Sequence, residues 1–286
     1  MKTLFINLII IFQFLLPFAK TSKSLRIMTF NIHFGNTITN EYDILNISQV
    51  IKDSHSDIVC LQEVDNNWSS RSYYSSLIQI ISQQANLPYY IYNPIYNKNS
   101  SHGHKFPNEQ FGTAILSKYK IIESHDYIIS RWSSQAGDPQ PGDPGFPSQY
   151  HGFGHLILDV DGTNFSVYNT HLDYRADPPE GYNETMRAIQ VREMMEIINF
   201  KYPTVLTGDM NADFSAKDVF ESLLEKFDDV WSIAGEGSGL TFPSIDPYIR
   251  IDYILVSKKS SIQVKNAFLI ETQVSDHLPV IADIDF

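Results

Sequence analysis

Short, wholly apolar runs alternate along this chain with runs that are apolar on one side only. Residues 25–31 have strand character. Residues 44–52 place Ile44, Ile47, Val50 and Ile51 at helical spacing. Residues 57–62 read as a short buried strand, and 73–84 as a helix with Leu77, Ile80 and Ile81 on one side. Strands are expected at 89–92, 112–116, 121–129, 155–160 and 165–170. Residues 184–200 give the clearest helix, with Met186, Ile189, Met194 and Ile197 near the 3.6-residue period. A strand at 204–207, a short helix at 219–226 and strands at 251–256, 264–270 and 278–283 complete the pattern. The mixture predicts sheets flanked by helices. No internal repeat is evident and no linker divides the chain. Residues 135–150 stand apart, because four Pro and three Gly exclude a helix or a central strand. They predict a surface loop, or a loop overhanging a site and shaping substrate choice.

At 286 residues and 43% hydrophobic content, the chain suits one large α/β domain. Its net charge of −12 excludes a basic nucleic-acid-binding module and argues against tight, non-specific binding to duplex DNA. The same acidity suits a site that gathers carboxylates around a divalent cation. At the N-terminus, Lys2 precedes an apolar stretch over 4–18, then Ala19 and a polar run. Residues 1–22 are read as a cleaved signal peptide and 23–286 as the domain. The apolar stretch is shorter than the ~20 residues a membrane helix needs, so a retained anchor is the alternative and no stable span is expected. The C-terminal residues are too few for a lipid-anchor signal. Glycosylation sequons begin at Asn46, Asn67, Asn99, Asn164 and Asn183. These features predict a secreted glycoprotein, taken as a monomer. The single cysteine, Cys60, lies in an apolar run and is expected to be buried and inert.

The informative positions are polar residues where apolar strands end. Asn31 ends LRIMTFN, Glu63 ends DIVCLQE and His171 ends FSVYNTH. Asp209 and Asn211 follow PTVLTG, Asp252 lies in RIDYILV, and Asp276 and His277 precede LPVIADI. Ligand sites in α/β sheets gather at strand ends. Carboxylates, amides and imidazoles together supply what a phosphoryl site needs: oxygen ligands for Mg²⁺, donors for phosphate oxygens, and proton transfer.

Here the chain resembles a known family. MTFNIHFG, DIVCLQEVD, FGTAILSKY, YNTHLD, LTGDMNAD, TFPS, RIDYILV and SDHLP occur in the order found in the endonuclease/exonuclease/phosphatase superfamily, across residues 27–280. The resemblance implies a four-layered α/β/β/α sandwich, two mixed sheets flanked by helices. It implies a hydrolase of phosphate esters, phosphodiesters foremost, that uses Mg²⁺, with Mn²⁺ as a substitute. Asn31, Glu63 and Asp276 would lie at the metal, with Glu63 the principal ligand. Asp209 would orient or deprotonate the attacking water and Asn211 would hold a phosphate oxygen. His277 would contact the scissile phosphate, oriented by Asp252, and His171 would bind phosphate or protonate the leaving oxygen.

Other positions are less closely tied to the pattern. Glu109 is the nearest candidate for an acidic partner of His171. His33 stands where repair-type members often carry Asp, and either lines the site or packs beneath it. His102 and His104 read as a solvated loop. Arg131, Arg175 and Arg250 could meet phosphate, with Arg250 also a structural candidate. The substrate could be nucleic acid, phospholipid or a small molecule, corresponding to a DNase, a sphingomyelinase-type phospholipase or a small-ester phosphatase. An inactive glycosylated binding protein on this fold is the alternative from another class, and the retained Glu63, Asp209 and His277 weigh against it.

Overall fold

The computed structural model describes residues 22–68, 71–100, 103, 107–130, 151–178 and 183–286. The first half of this chain contains β1 (Ser24–Asn31), α1 (Ile44–Asp53), β2 (Ile58–Asn66), α2 (Leu77–Ala85), β3 (Tyr89–Lys98), β4 (Glu109–Ser117), β5 (Lys120–Ile129) and β6 (His151–Val160). The second half contains β7 (Thr163–His171), α3 (Met186–Ile197), β8 (Thr204–Asp209), α4 (Lys217–Lys226), β9 (Phe227–Asp229), α5 (Val230–Ala234), β10 (Asp252–Ser257), β11 (Gln263–Leu269) and β12 (Val280–Asp285). Most of the N-terminal segment, His102, His104, Arg131 and the 135–150 segment lie outside the described residues.

The strands form two six-stranded sheets, ordered β11-β12-β1-β2-β4-β3 and β5-β6-β7-β8-β10-β9. Leu25, Ile27, Ile58, Cys60 and Ile115 of the first sheet pack against Leu156, Phe165, Val167, Val205 and Ile254 of the second. On its other face the first sheet buries Met28, Phe30, Val59 and Leu61 under Ile47, Ile51, Leu77 and Ile81 of α1 and α2. The second sheet covers Phe153, Tyr168 and Leu206 with Val191 and Met194 of α3 and Phe220 and Leu223 of α4. Apolar residues on both strand faces thus give four layers, the expected α/β/β/α sandwich.

Both sheets have the same internal plan. Reading across each, successive neighbours run antiparallel, antiparallel, parallel, antiparallel and antiparallel. The connectivity also repeats: β5 to β10 correspond in order to β11, β12, β1, β2, β3 and β4. The residue pattern shows no repeat, but the topology contains one, offset along the chain. β1 and β12 pair side by side within the first sheet, and Lys23 and Phe286 exchange backbone hydrogen bonds of 3.1 and 3.0 Å.

Several boundaries depart from the periodicity. The second helix starts at Leu77 rather than 73, because Tyr73 and Tyr74 hold left-handed φ values of 50° and 59° in the preceding turn. β3 continues to Lys98 past Pro94, through a bulge between Pro94 and Tyr96. Its place at the sheet edge removes the need for a donor at Pro94. Cys60 is fully buried, which pushes its thiol up to about 12 and keeps it inert as expected. Among the sequons, Asn46, Asn99 and Asn183 are exposed while Asn67 and Asn164 are half-buried. No helix among the described residues is long and apolar enough to cross a membrane.

Candidate active site

The two parallel strand pairs, β1–β2 and β7–β8, carry site residues at or near their C-terminal ends. Asn31 ends β1, His171 ends β7 and Asp209 ends β8, with His171 and Asp209 in register. β10 begins opposite, pairing Asp252 with Asp209. Gly208 makes this convergence possible: a Cβ there would lie 2.2 Å from the Thr170 carbonyl oxygen. Glu63 is placed differently. The β2–β4 register shifts between Leu61 and Val64, and Glu63 sits in this bulge at φ 54°. A bulge turns a side chain out of the strand's alternation, and here it leaves Glu63 facing the cavity.

That cavity holds about 430 Å³, and Glu63, His171, Asp209, Asn211, Asp276 and His277 all line it. Ile95, Tyr96, Phe111, Tyr174, Phe242 and Ile251 supply apolar wall, and no Lys or Arg of the described residues contributes. Asn31 and Asp252 support the floor. Asn31 Nδ2 donates to Asp209 Oδ2 at 3.0 Å, and Asp252 Oδ2 lies 2.9 Å from His277 Nδ1. All eight residues singled out from the strand ends therefore meet at one place.

Asp209 is the hub. Its Oδ1 accepts from the Asn211 backbone N–H at 2.8 Å, and its Oδ2 lies 3.6 Å from His171 Nε2 and 3.8 Å from His277 Nε2. Burial opposes charge on His277, but Asp252, Asp209 and Asp276 outweigh it and raise the imidazole to about 10. The bond to Asp252 occupies Nδ1 and turns Nε2 toward Asp209. Asn211 holds φ 48°, and its Nδ2 gives one hydrogen to the Leu172 carbonyl at 2.9 Å, leaving the other for the cavity.

Asp209, Asp252 and His277 present ligand atoms within 4.8 Å of one another. Within this trio His277 Nδ1 is already bonded to Asp252. A hard cation is better matched by the oxygens at the mouth. Among the described residues the Glu63 carboxylate has no hydrogen-bond or ion-pair partner, and it shares the cavity with Asp276. His33 stands beside them, its Nδ1 3.9 Å from Asp276 Oδ1 and its backbone N–H on Asn31 Oδ1 at 3.1 Å.

Residues 28–277 match the Endonuclease/Exonuclease/phosphatase family. The chain belongs to this family. It is 26% identical to the uncharacterized protein YbhP of Escherichia coli K12 over 278 residues, covering 91% of this chain and 96% of that one. Among solved structures it resembles a family member from Beutenbergia cavernae (18% identity, TM-score 0.69, 91% of this chain and 71% of that one). It also resembles the mannosyl-6-phosphatase Bt3783 of Bacteroides thetaiotaomicron (19% identity, TM-score 0.62, 92% and 100%).

The remaining candidates separate within this family site. Arg250 is structural, since it pairs with Asp229 at 2.9 Å and lies over the Phe214 and Tyr253 rings. Arg175 lies 3.9 Å from Asp173, and Glu109 is buried at the start of β4; neither belongs to the cavity wall. Two supporting residues escaped the sequence reading. Arg187, buried at the start of α3, donates from Nη1 to the Asn211 carbonyl and holds that left-handed turn. Arg71 forms a two-bond pair with the fully buried Asp65 (2.7 and 2.8 Å) and lies over the Phe34 and Phe111 rings, beside the bulge. Neither stands at a strand end, so no strand-end signal marks them.

Proposed function

We propose that this chain is a secreted hydrolase of phosphate esters, phosphodiesters foremost, that works with a divalent cation, Mg²⁺ or Mn²⁺. The convergence of eight polar residues from both sheets on one apolar-walled cavity carries the reading. Secretion is supported by the apolar N-terminal stretch and the exposed sequons. Glu63, Asp276 and Asn31 would hold the cation, which when bound would neutralise charge on the phosphoryl oxygens.

The chain's own residues account for the proton movements. Asp209, fixed through both oxygens, accepts a proton from the attacking water as its oxygen bonds to phosphorus. The bond from phosphorus to the leaving oxygen breaks, and His171 protonates that oxygen. His277, held charged and oriented by Asp252, donates from Nε2 to a phosphoryl oxygen, and Asn211 adds its free amide hydrogen. Such preorganised donors act where charge develops. Among the described residues the wall carries no Lys or Arg, which favours substrates engaged through a single phosphate over a polyanion bound along its length.

The test is a panel of plasmid DNA, RNA, sphingomyelin, a nitrophenyl phosphodiester, inositol phosphates and hexose phosphates, each with and without chelator. Turnover of at least one ester is expected, abolished by chelation and restored by Mg²⁺ or Mn²⁺. Undiminished turnover in excess chelator would sink the metal assignment.

A further inference from the structure

Four polar side chains are fully buried between the sheets, beneath the cavity: Thr29, Gln62, Asn169 and Thr207. Each precedes a site residue on its own strand. Thr29 is two before Asn31, Gln62 one before Glu63, Asn169 two before His171 and Thr207 two before Asp209. They bond to one another across the sheet interface. Gln62 Nε2 donates to Thr29 Oγ1 at 3.0 Å and to Asn169 Oδ1 at 2.7 Å, and Thr207 Oγ1 shares its one hydrogen between Asn169 Oδ1 at 3.2 Å and the Tyr168 carbonyl at 3.1 Å.

Asn169 is the node. Its Nδ2 donates to the Leu61 carbonyl at 2.9 Å and to the Ala114 carbonyl at 3.0 Å, both in the opposite sheet. Leu61 and Ala114 are the last register pair before the bulge that carries Glu63. In a regular ladder, carbonyls point along the sheet toward neighbouring strands. A side chain from the facing sheet reaches two of them only where the ladder is disturbed. The bulge supplies the disturbed carbonyls, and Asn169 satisfies them where Leu61 and Ala114 are fully buried and an unmet polar group would be costly.

We infer that Asn169 is a positioning residue. From the second sheet it clamps the β2 bulge in the first, and so sets where the Glu63 carboxylate stands relative to Asp209 and His171. This rests on the proposed function only in taking Glu63 as a cation ligand; the clamp itself is a statement about the fold. Through Thr207 and Gln62, the same lattice ties together the four strands whose ends meet at the site.

The experiment compares the wild type with Asn169→Ala, Thr207→Val and Leu223→Ala by amide hydrogen exchange and by titration with Mn²⁺ alone. Leu223 lies in the outer helical layer and controls for general destabilisation. In Asn169→Ala, amides 62–66 are expected to exchange about tenfold faster or more, beyond any rise seen elsewhere in the molecule. Mn²⁺ should bind about 10–100-fold more weakly, as when support behind a metal ligand is lost. Thr207→Val is nearly isosteric and removes one strut, so it should show the same pattern more weakly, and it carries the test if Asn169→Ala fails to fold. Exchange at 62–66 that is unchanged, or raised no more than in Leu223→Ala, overturns the clamp. Local exchange rising as expected in a protein whose wild type binds no Mn²⁺ would uphold the clamp and remove the cation from the proposed function.

Discussion

Two buried imidazoles in this protein show how neighbours decide the fate of a proton. His277 has Asp252 bonded to Nδ1 and two further carboxylates close by, and it stays charged despite burial. His277→Ala is expected to lower kcat by ~10²–10⁴, and Asp252→Asn by about 10–100-fold. The double variant should be little worse than His277→Ala, because the two act as a unit. Additive losses, with melting temperatures as the folding control, would show that Asp252 does not work through His277. Among the described residues no carboxylate is bonded to His155. It stacks on Tyr168 at 4.0 Å and bonds Ser166 through Nε2, and burial lowers it from 6.5 to about 4. Between those values the unfolded chain binds the extra proton. The contribution of His155 to stability is therefore full above pH 6.5 and is lost as pH falls toward 4, an effect of about 3 kcal/mol. Denaturant titrations of His155→Gln should show a flatter slope over that window; an unchanged slope would assign the acid sensitivity elsewhere. At this scale the residues that converge on the cavity were legible because a carboxylate or imidazole closing an apolar strand serves no packing purpose. Asn169 and Arg187 were not, since a polar residue within a strand or a cation at a helix start looks like ordinary alternation.

Elements are held at the site by local departures from regular geometry, and these are what the hydrophobic period does not report. The periodicity placed the strands and helices that supply core. It ended β2 at Gln62, because nothing in DIVCLQEVD marks a strand that kinks at Glu63 and continues to Asn66. It passed over β9 and α5, which at three and five residues are too short to show a period. Gly208 pairs with Thr170 where β7 and β8 lie side by side, and its meaning appears only in three dimensions. Gly208→Ala would drive a methyl group into the Thr170 carbonyl and part the strands where His171 faces Asp209. The expected outcome is a loss of about 1–3 kcal/mol from overpacking, accompanied by reduced kcat. A fully active, equally stable Gly208→Ala would mean that this approach is not needed. Arg71→Met tests the other flank. It would leave the Asp65 carboxylate buried and unpaired, a change that typically costs about 3–5 kcal/mol. Chemical denaturation measures it directly, and a loss below about 1 kcal/mol would show that Asp65 finds another partner or takes up a proton.

The whole molecule places its reactive groups where two similarly threaded sheets meet, so neither sheet alone holds a complete site. The motif order pointed to this architecture through family resemblance, whereas the offset repeat left no trace in the residue pattern because only strand order and direction are shared. The pairing of the first and last strands has a further consequence. Ser24 bonds Asp285 across a separation of 261 residues, so the first sheet forms only when both ends of the chain come together. Folding slows as contacting residues lie farther apart along a chain. A circular permutant of residues 23–286, joined from Phe286 to Lys23 by a short flexible linker and opened between Lys118 and Tyr119, would begin at β5. Its first six strands would make one sheet and its last six the other, each from contiguous chain. Stopped-flow refolding should show this permutant reaching the native state faster than the parent, with the same activity and a similar melting temperature. A slower permutant would mean that closure of the termini does not limit folding. Within residues 23–286 the natural strand order divides one unit between its two ends, and the rearranged order would present the two halves as successive, separately threaded modules.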